Sequence, residues 1–168
     1  MSWSRTIAAA ALVAALGAIL SGCGFQLRGQ ASLPFSTLFV PGSSPLAVEL
    51  KRNVVASTHT RLVDRERDAQ AILGFTNEAR EKVILSFNSS GLVREFQLRY
   101  RVGFRVYDAK GRDYVSASEI QLTRDISFND AQVLAKESEE QLLYRDMQSD
   151  MVQQIIRRIA AAKLPTAQ

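Results

Sequence analysis

The most regular stretch of the chain is a strict alternation of apolar and polar positions between residues 93 and 107. Even positions carry large apolar side chains and odd positions carry mostly polar ones: Phe96, Leu98, Tyr100, Val102, Phe104 and Val106 alternate with Gln97, Arg99, Arg101, Gly103 and Arg105. Successive side chains of a β-strand point to opposite faces of the sheet. The pattern therefore predicts a long strand with one buried and one solvated face, as in antiparallel sheets.

A hairpin to a further strand is predicted directly after residue 107. Tyr114, Ile120 and Leu122 continue the apolar pattern on even positions. Directly paired residues share a face, and a three-residue loop at 109–111, with Gly111 in the left-handed conformation, keeps both apolar sets together. The predicted pairs are Phe104 with Ser116, Tyr100 with Ile120, Leu98 with Leu122, and Arg101 with Glu119.

The first half of the mature chain predicts one short strand and one helix. Residues 35–40 form an apolar run, which we interpret as a strand. Ser44 and Pro45 suit the N-cap and the first position of a helix, and an apolar stripe follows at Leu46, Leu50 and Val54. We predict a helix over 45–57 and then a charged loop over 61–68 with a short extended piece at 62–63.

The remaining elements are another strand and a C-terminal helix. Alternation begins at Ala71, Leu73 and Phe75, resumes at Val83, Leu85 and Phe87, and ends at a turn over 88–91. Helical spacing of apolar residues between 142 and 159 predicts the C-terminal helix, capped at Asn129 or Asp130, broken near Lys136 and ended by Pro165. The predicted fold class is α+β, a four-stranded mostly antiparallel sheet with two helices packed on one face.

The N-terminus has the pattern of an export signal. Arg5 precedes an apolar segment, 6–20, that is shorter than the ~20 residues needed to span a bilayer. Leu20-Ser21-Gly22-Cys23 resembles the lipobox of bacterial lipoproteins, and Cys23 is the only cysteine. The alternative is an ordinary secretory signal with a chance cysteine. We predict a signal peptide at 1–22, a lipidated leader at 23–34, a single domain at 35–163 and a short tail at 164–168.

Composition and motifs argue against most catalytic and nucleic-acid functions. With Arg5 removed, 20 basic and 17 acidic side chains remain, and this +3 excess is too small to indicate nucleic-acid binding. No phosphate-binding glycine loop, G-x-S-x-G or H-E-x-x-H motif is present. His59, the only histidine, lies in a polar segment and is interpreted as solvated. Glu137, Glu139 and Glu140 are interpreted as complementing a helix dipole rather than as acid–base catalysts. No enzyme, metal site or soluble cofactor is expected.

Basic side chains are the remaining candidates for a binding function. Arg99, Arg101 and Arg105 share the solvated face of the predicted strand, and guanidinium groups suit bidentate recognition of phosphate. The alternative is a solvated surface balanced by Glu95, Glu119 and Glu78. Lys136 is a separate candidate, for which the alternative is a helix ion pair with Glu139 or Glu140.

Two segments carry a family resemblance. The first is Cys23-Gly24-Phe25-Gln26-Leu27-Arg28-Gly29. The second runs from Phe128-Asn129-Asp130 through Leu134-Ala135-Lys136 to Asp146-Met147, and then from Gln154 to Arg158. Both resemble the LptE family of lipopolysaccharide-assembly lipoproteins. The resemblance extends over essentially the whole mature chain.

The resemblance implies a non-enzymatic outer-membrane subunit. It would be held in the membrane by N-acyl and S-diacylglycerol groups on Cys23, with its body on the periplasmic side or inside a barrel lumen. It would plug a large β-barrel translocon subunit (LptD-like), help that barrel assemble, and bind lipopolysaccharide. Basic side chains at Lys136 and near the first hairpin, where Arg94 is the nearest base to the tip at 88–91, would contact phosphate. The alternative is an auxiliary lipoprotein of another envelope lipid-transport system.

Overall fold

The computed structural model describes residues 31–163, so the predicted signal peptide, Cys23 and the tail at 164–168 lie outside the described residues. The elements follow in the order β1 (Thr37–Phe39), α1 (Pro45–Ser57), β2 (Arg61–Leu62), β3 (Ala71–Phe87), β4 (Val93–Tyr107), β5 (Asp113–Ser127) and α2 (Val133–Ala160). Short 3₁₀ turns at Glu66–Asp68 and Asp130–Gln132 precede β3 and α2.

The sheet has five strands in the order β2-β1-β3-β4-β5, and it is mixed. β1 is parallel to both β2 and β3, whereas β3, β4 and β5 form an antiparallel meander. The predicted sheet of four mostly antiparallel strands is therefore wrong in strand number. The extra strand, β2, has only two residues, which are too few to show an alternation, and the helical connection from β1 makes the pair parallel.

Both helices pack on one face of the sheet and share one core with it. α1 contributes Leu46, Leu50 and Val54. The opposing side chains of β4, which like these are fully buried, are Leu98, Tyr100, Val102, Phe104 and Val106. The helix begins at the predicted residue, because Ser44 Oγ accepts a hydrogen bond from Ala47 N at 3.2 Å. α2 adds a buried stripe to the same core: Met147, Met151, Val152, Ile155, Ile156 and Ile159.

The β4–β5 hairpin has the predicted loop but a different register. Gly111 has φ of 79°, and Asp108 N donates to Arg112 O at 2.9 Å, as a 109–111 loop requires. Two register shifts between residues 113 and 118 then place extra residues in β5, so Phe104 pairs with Ser118, Tyr100 with Leu122, and Arg101 with Gln121. The predicted pairs were thus wrong by two positions. Because two single-residue bulges restore the parity, side chains from Ser118 onward keep their predicted faces, whereas Val115, between the bulges, pairs with Val106 and shares its helix-facing side.

A bulge in β3 changes which side chains face the helices. The register shifts between Phe75 and Asn77, so Leu73 pairs with Val106 before the bulge and Arg80 pairs with Tyr100 after it. Odd positions face the helices first, and even positions face them afterwards. This change places Glu78, Arg80 and Lys82 under the helices, and Val83 lies on the opposite face from Leu73.

Candidate functional site

The arginine stripe lies on the sheet face that no described helix covers. Arg105 Nη2 lies 2.7 Å from Asp113 Oδ1, Arg101 pairs with Glu81, and Arg99 Nε donates to Gln97 Oε1 at 2.9 Å. Two of the three guanidinium groups are therefore neutralised within the chain. Partly exposed ion pairs such as these contribute only about 0–1 kcal/mol each. The face is a mixed-charge surface, and phosphate binding by these arginines stays a prediction.

The carboxylates on this face differ from the predicted set. Glu119 is paired with Gly103, so it does not lie opposite Arg101. Glu78 lies on the helix side, where it accepts the Tyr100 hydroxyl at 2.7 Å. Glu81, which the sequence reasoning did not single out, is the partner of Arg101, because the β3 bulge brings odd positions to the uncovered face.

A network of polar side chains joins the far half of β3 to both helices. The Arg80 guanidinium lies 4.8 Å from the ring centroid of Tyr100 and donates to Gln148 Oε1 at 2.7 Å. Gln148 Nε2 in turn donates to Glu49 of α1 at 2.6 Å. Burial, and then the hydrogen bond to Glu78, raise the pKa of Tyr100 far above its usual value. The hydroxyl therefore stays neutral at physiological pH and donates to Glu78 as a neutral group.

The end of the molecule formed by the 88–92 turn, the end of β5 and the start of α2 is called the distal end here. Phe128 N donates to Arg94 O at 2.7 Å, which ties the β3–β4 hairpin to the chain leaving β5. Asn88 Oδ1 accepts from Ser90 N and Leu92 N at 2.9 Å each, so the predicted turn is confirmed. The segments that carry Arg94 and Lys136, the two bases implied by the family resemblance, thus meet at the distal end.

Lys136 is held at the distal end by two contacts. Its Nζ donates to Ser127 Oγ at 3.0 Å and to Glu139 Oε2 at 2.8 Å, and only 18% of its side chain is exposed. The alternative of a helix ion pair is therefore present with Glu139 and not with Glu140. The predicted helix break near Lys136 is wrong, because α2 is continuous from Val133. Asn129 caps the 3₁₀ turn before it through a bond from Ala131 N at 3.0 Å.

Lys82 is a distal base that sequence reasoning missed. Its Nζ lies 2.6 Å from Glu140 Oε2, 4.4 Å from the ring centroid of Phe96 and 5.9 Å from that of Phe128. Cation–π contacts fall within this range. The sequence shows charged residues at 78, 80 and 82. They indicate a polar segment that faces the helices only when the position of the β3 bulge is known.

Arg94 differs from the other distal bases in its surroundings. It lies at a register shift in β4, between the pairs formed by Glu95 and Val93, and it is exposed. It belongs to none of the ion pairs formed among residues 31–163. Bulges re-aim side chains, and here the result is a guanidinium available to solvent.

An open groove of about 810 Å³ lies at the opposite, proximal end, beside the β4–β5 loop and the segment that leads into β1. Its walls include Phe35, Tyr114 and the exposed His59. Burial alone would raise the pKa of Asp108, but hydrogen bonds from Arg112 and from Lys110 N outweigh it and lower that pKa. Asp108 therefore organises the loop as a carboxylate.

Two further properties concern residues 31–163 as a whole. Their His, Cys, Asp and Glu side chains form no group that could hold a metal ion. Within the same range, no helix is both long enough and apolar enough to cross a membrane.

Comparisons with known proteins agree on one family. The model of the LptE family, described as lipopolysaccharide-assembly, matches residues 35–159. An LPS-assembly lipoprotein LptE from Yersinia enterocolitica is 27% identical over 158 residues, which cover 89% of this chain and 75% of the relative. The corresponding protein of Photorhabdus laumondii is 25% identical, with 84% and 79% covered.

Solved structures give the same fold. Lipoprotein B from Nitrosomonas europaea is 44% identical, with a TM-score of 0.72 over 82% of this chain and 91% of that one. A minor lipoprotein from Acinetobacter baumannii is 27% identical, with a TM-score of 0.64 over 81% of this chain and 98% of that one.

Proposed function

Because the chain belongs to the LptE family of lipopolysaccharide-assembly lipoproteins, we propose that it is the small subunit of an outer-membrane lipopolysaccharide translocon. In this role it plugs and helps assemble a large β-barrel partner (LptD-like), and it binds lipopolysaccharide for insertion into the outer leaflet. It has no catalytic part. The observation that carries the proposal is the family match over 35–159, which spans every strand and nearly all of α2.

The uncovered sheet face supports the plug role. The lumen of a transmembrane β-barrel is polar, so a plug needs a hydrated, mixed-charge surface on a rigid core. Arg99, Arg101 and Arg105, with Glu81 and Asp113 beside them, supply such a surface on the face away from the helices. We assign these arginines to contacts with the barrel wall.

The distal end supports lipopolysaccharide binding. Lys136 and Arg94 lie on segments joined by the Phe128–Arg94 backbone bond, and Lys136 is pre-positioned by Ser127. A side chain that is already ordered loses less conformational entropy when it binds phosphate. We assign these two bases to phosphate groups of lipopolysaccharide.

The Lys136→Glu substitution should weaken lipopolysaccharide binding roughly tenfold, because one charge-assisted contact to phosphate is replaced by a repulsion. Lys136→Gln, which keeps a donor, should cost less. Lys110→Glu, the same charge reversal on the exposed proximal loop, is the matched control. Binding of purified protein to immobilised lipopolysaccharide measures all three. A well-folded Lys136→Glu protein with unchanged affinity would remove Lys136 from the site.

We also propose that Cys23 carries the acyl groups that hold the protein in the outer membrane. Cys23→Ala should leave the signal peptide uncleaved and prevent lipid modification, because peptidase processing follows acylation of that thiol. Mass spectrometry of the purified protein measures both changes. A variant that is still cleaved after Gly22 and still modified would contradict the lipobox assignment.

A further inference from the structure

Exposed apolar side chains are concentrated at the distal end. Among the described residues, nine large apolar side chains are exposed, and six of them lie there: Ile84, Leu85, Phe87, Leu92, Val133 and Leu134. Leu134 is 80% exposed and Phe87 is 59% exposed. Scattered exposed apolar residues are ordinary, but a group of them at one end of a molecule marks an interaction site.

The six residues come from two segments that the fold brings together. Ile84, Leu85, Phe87 and Leu92 lie at the end of the β3–β4 hairpin, and Val133 and Leu134 begin α2. The Phe128–Arg94 backbone bond and the Lys136–Ser127 contact hold these segments side by side. We call these six residues the distal apolar patch.

Basic groups border the distal apolar patch. Arg94 lies two residues after Leu92 and is exposed, and Lys136 lies three residues after Val133 in α2, where positions i and i+3 are neighbours on the helix surface. An apolar patch beside cationic groups is complementary to an anionic amphiphile, which has hydrocarbon next to phosphate.

We propose that the distal apolar patch binds the acyl chains of lipopolysaccharide while the neighbouring bases bind its phosphates. This inference rests on the proposed function, which assigns residues to the phosphates of lipopolysaccharide but none to its acyl chains. The hairpin end and the first turn of α2 then act as one amphiphile-binding end, and burial of hydrocarbon contributes to affinity. Affinity should therefore depend on the acyl chains as well as on charge.

The test uses the full-chain lipoprotein in phosphatidylcholine nanodiscs, with lipopolysaccharide and fully deacylated lipopolysaccharide as two separate ligands. The double variant Phe87→Ser with Leu92→Ser should bind lipopolysaccharide about tenfold more weakly and bind the deacylated form unchanged. Leu134→Ser should shift binding in the same direction. Val55→Ser is the matched control, because Val55 is 62% exposed on α1 and lies outside the patch.

The variants should keep the thermal stability of the parent, which circular dichroism measures, because all four substituted side chains are exposed: Phe87, Leu92, Leu134 and Val55. Unchanged binding of lipopolysaccharide by the double variant would overturn the acyl contact and leave the proposed function intact. Equal losses of affinity for lipopolysaccharide and for its deacylated form would also overturn the acyl contact. So would a variant that binds lipopolysaccharide like the parent but no longer co-purifies with a barrel partner. If the parent protein binds neither ligand, lipopolysaccharide binding fails and the acyl contact fails with it.

Discussion

Gly103 lies on the uncovered face of β4, directly beside the β3 bulge. A Cβ built at this position would approach Thr76 Oγ1 to 2.4 Å and Asn77 N to 3.4 Å. The bulge residue thus occupies the space that a side chain at 103 would need. Because the bulge reverses the facing of β3, one glycine allows Glu81 to reach Arg101 and Lys82 to lie under α2.

Gly103→Ala should lower the free energy of unfolding by about 1–2 kcal/mol, because Thr76 must move away from the new methyl group. Thr76→Ala in the same chain removes the clashing oxygen and should recover a good part of the loss, which a double-mutant cycle quantifies. Gly74→Ala is the control, since its Cβ would have no neighbour nearer than 3.4 Å. Equal losses for Gly103→Ala with and without Thr76→Ala would contradict this account. Urea unfolding provides the measurement.

At the scale of single elements, local patterns predicted bounds well and registers poorly. The alternation over 93–107 and the Ser44-Pro45 start give β4 and α1 at their observed limits. The β4–β5 register differs from the predicted one by two positions because the two bulges in β5 together restore the even–odd pattern beyond them, so the alternation there does not report them. The sequence predicts a short extended piece at 62–63 but not its place in the sheet as β2, because that pairing comes from the β1–α1 crossover and not from the two residues of the strand.

Ser44→Ala should destabilise the protein by about 1 kcal/mol, since an orphan N–H at the start of α1 loses its partner. The bond from Ala47 N is the contact removed. Ser43→Ala, a substitution at the exposed neighbouring position, should have little effect. Comparable losses from the two substitutions, measured by urea unfolding, would show that Ser44 does not act as the cap.

At the scale of the whole molecule, both helices lie on one face of the sheet, which leaves a second face and two ends with different chemistry. The sequence indicated Arg101, Arg105 and the Lys136–Glu139 helix pair, but neither Lys82 nor the partners of the two arginines. Glu81 and Asp113 neutralise Arg101 and Arg105 only because the strand registers bring them together. The distal site likewise depends on tertiary contacts, one between Arg94 and Phe128 and one between Ser127 and Lys136. The charge of each side chain can be read from the sequence. Which charged side chains pair or cluster depends on the strand order and register.

The proposed function makes this lipoprotein a subunit of a barrel translocon. The most direct measurement is a mild-detergent pull-down from outer membranes with a C-terminal tag, in which mass spectrometry identifies the partners. A translocon subunit should co-purify with one large β-barrel protein in stoichiometric amount. An intact lipoprotein recovered without such a barrel, or with an inner-membrane transporter in its place, would contradict the claim.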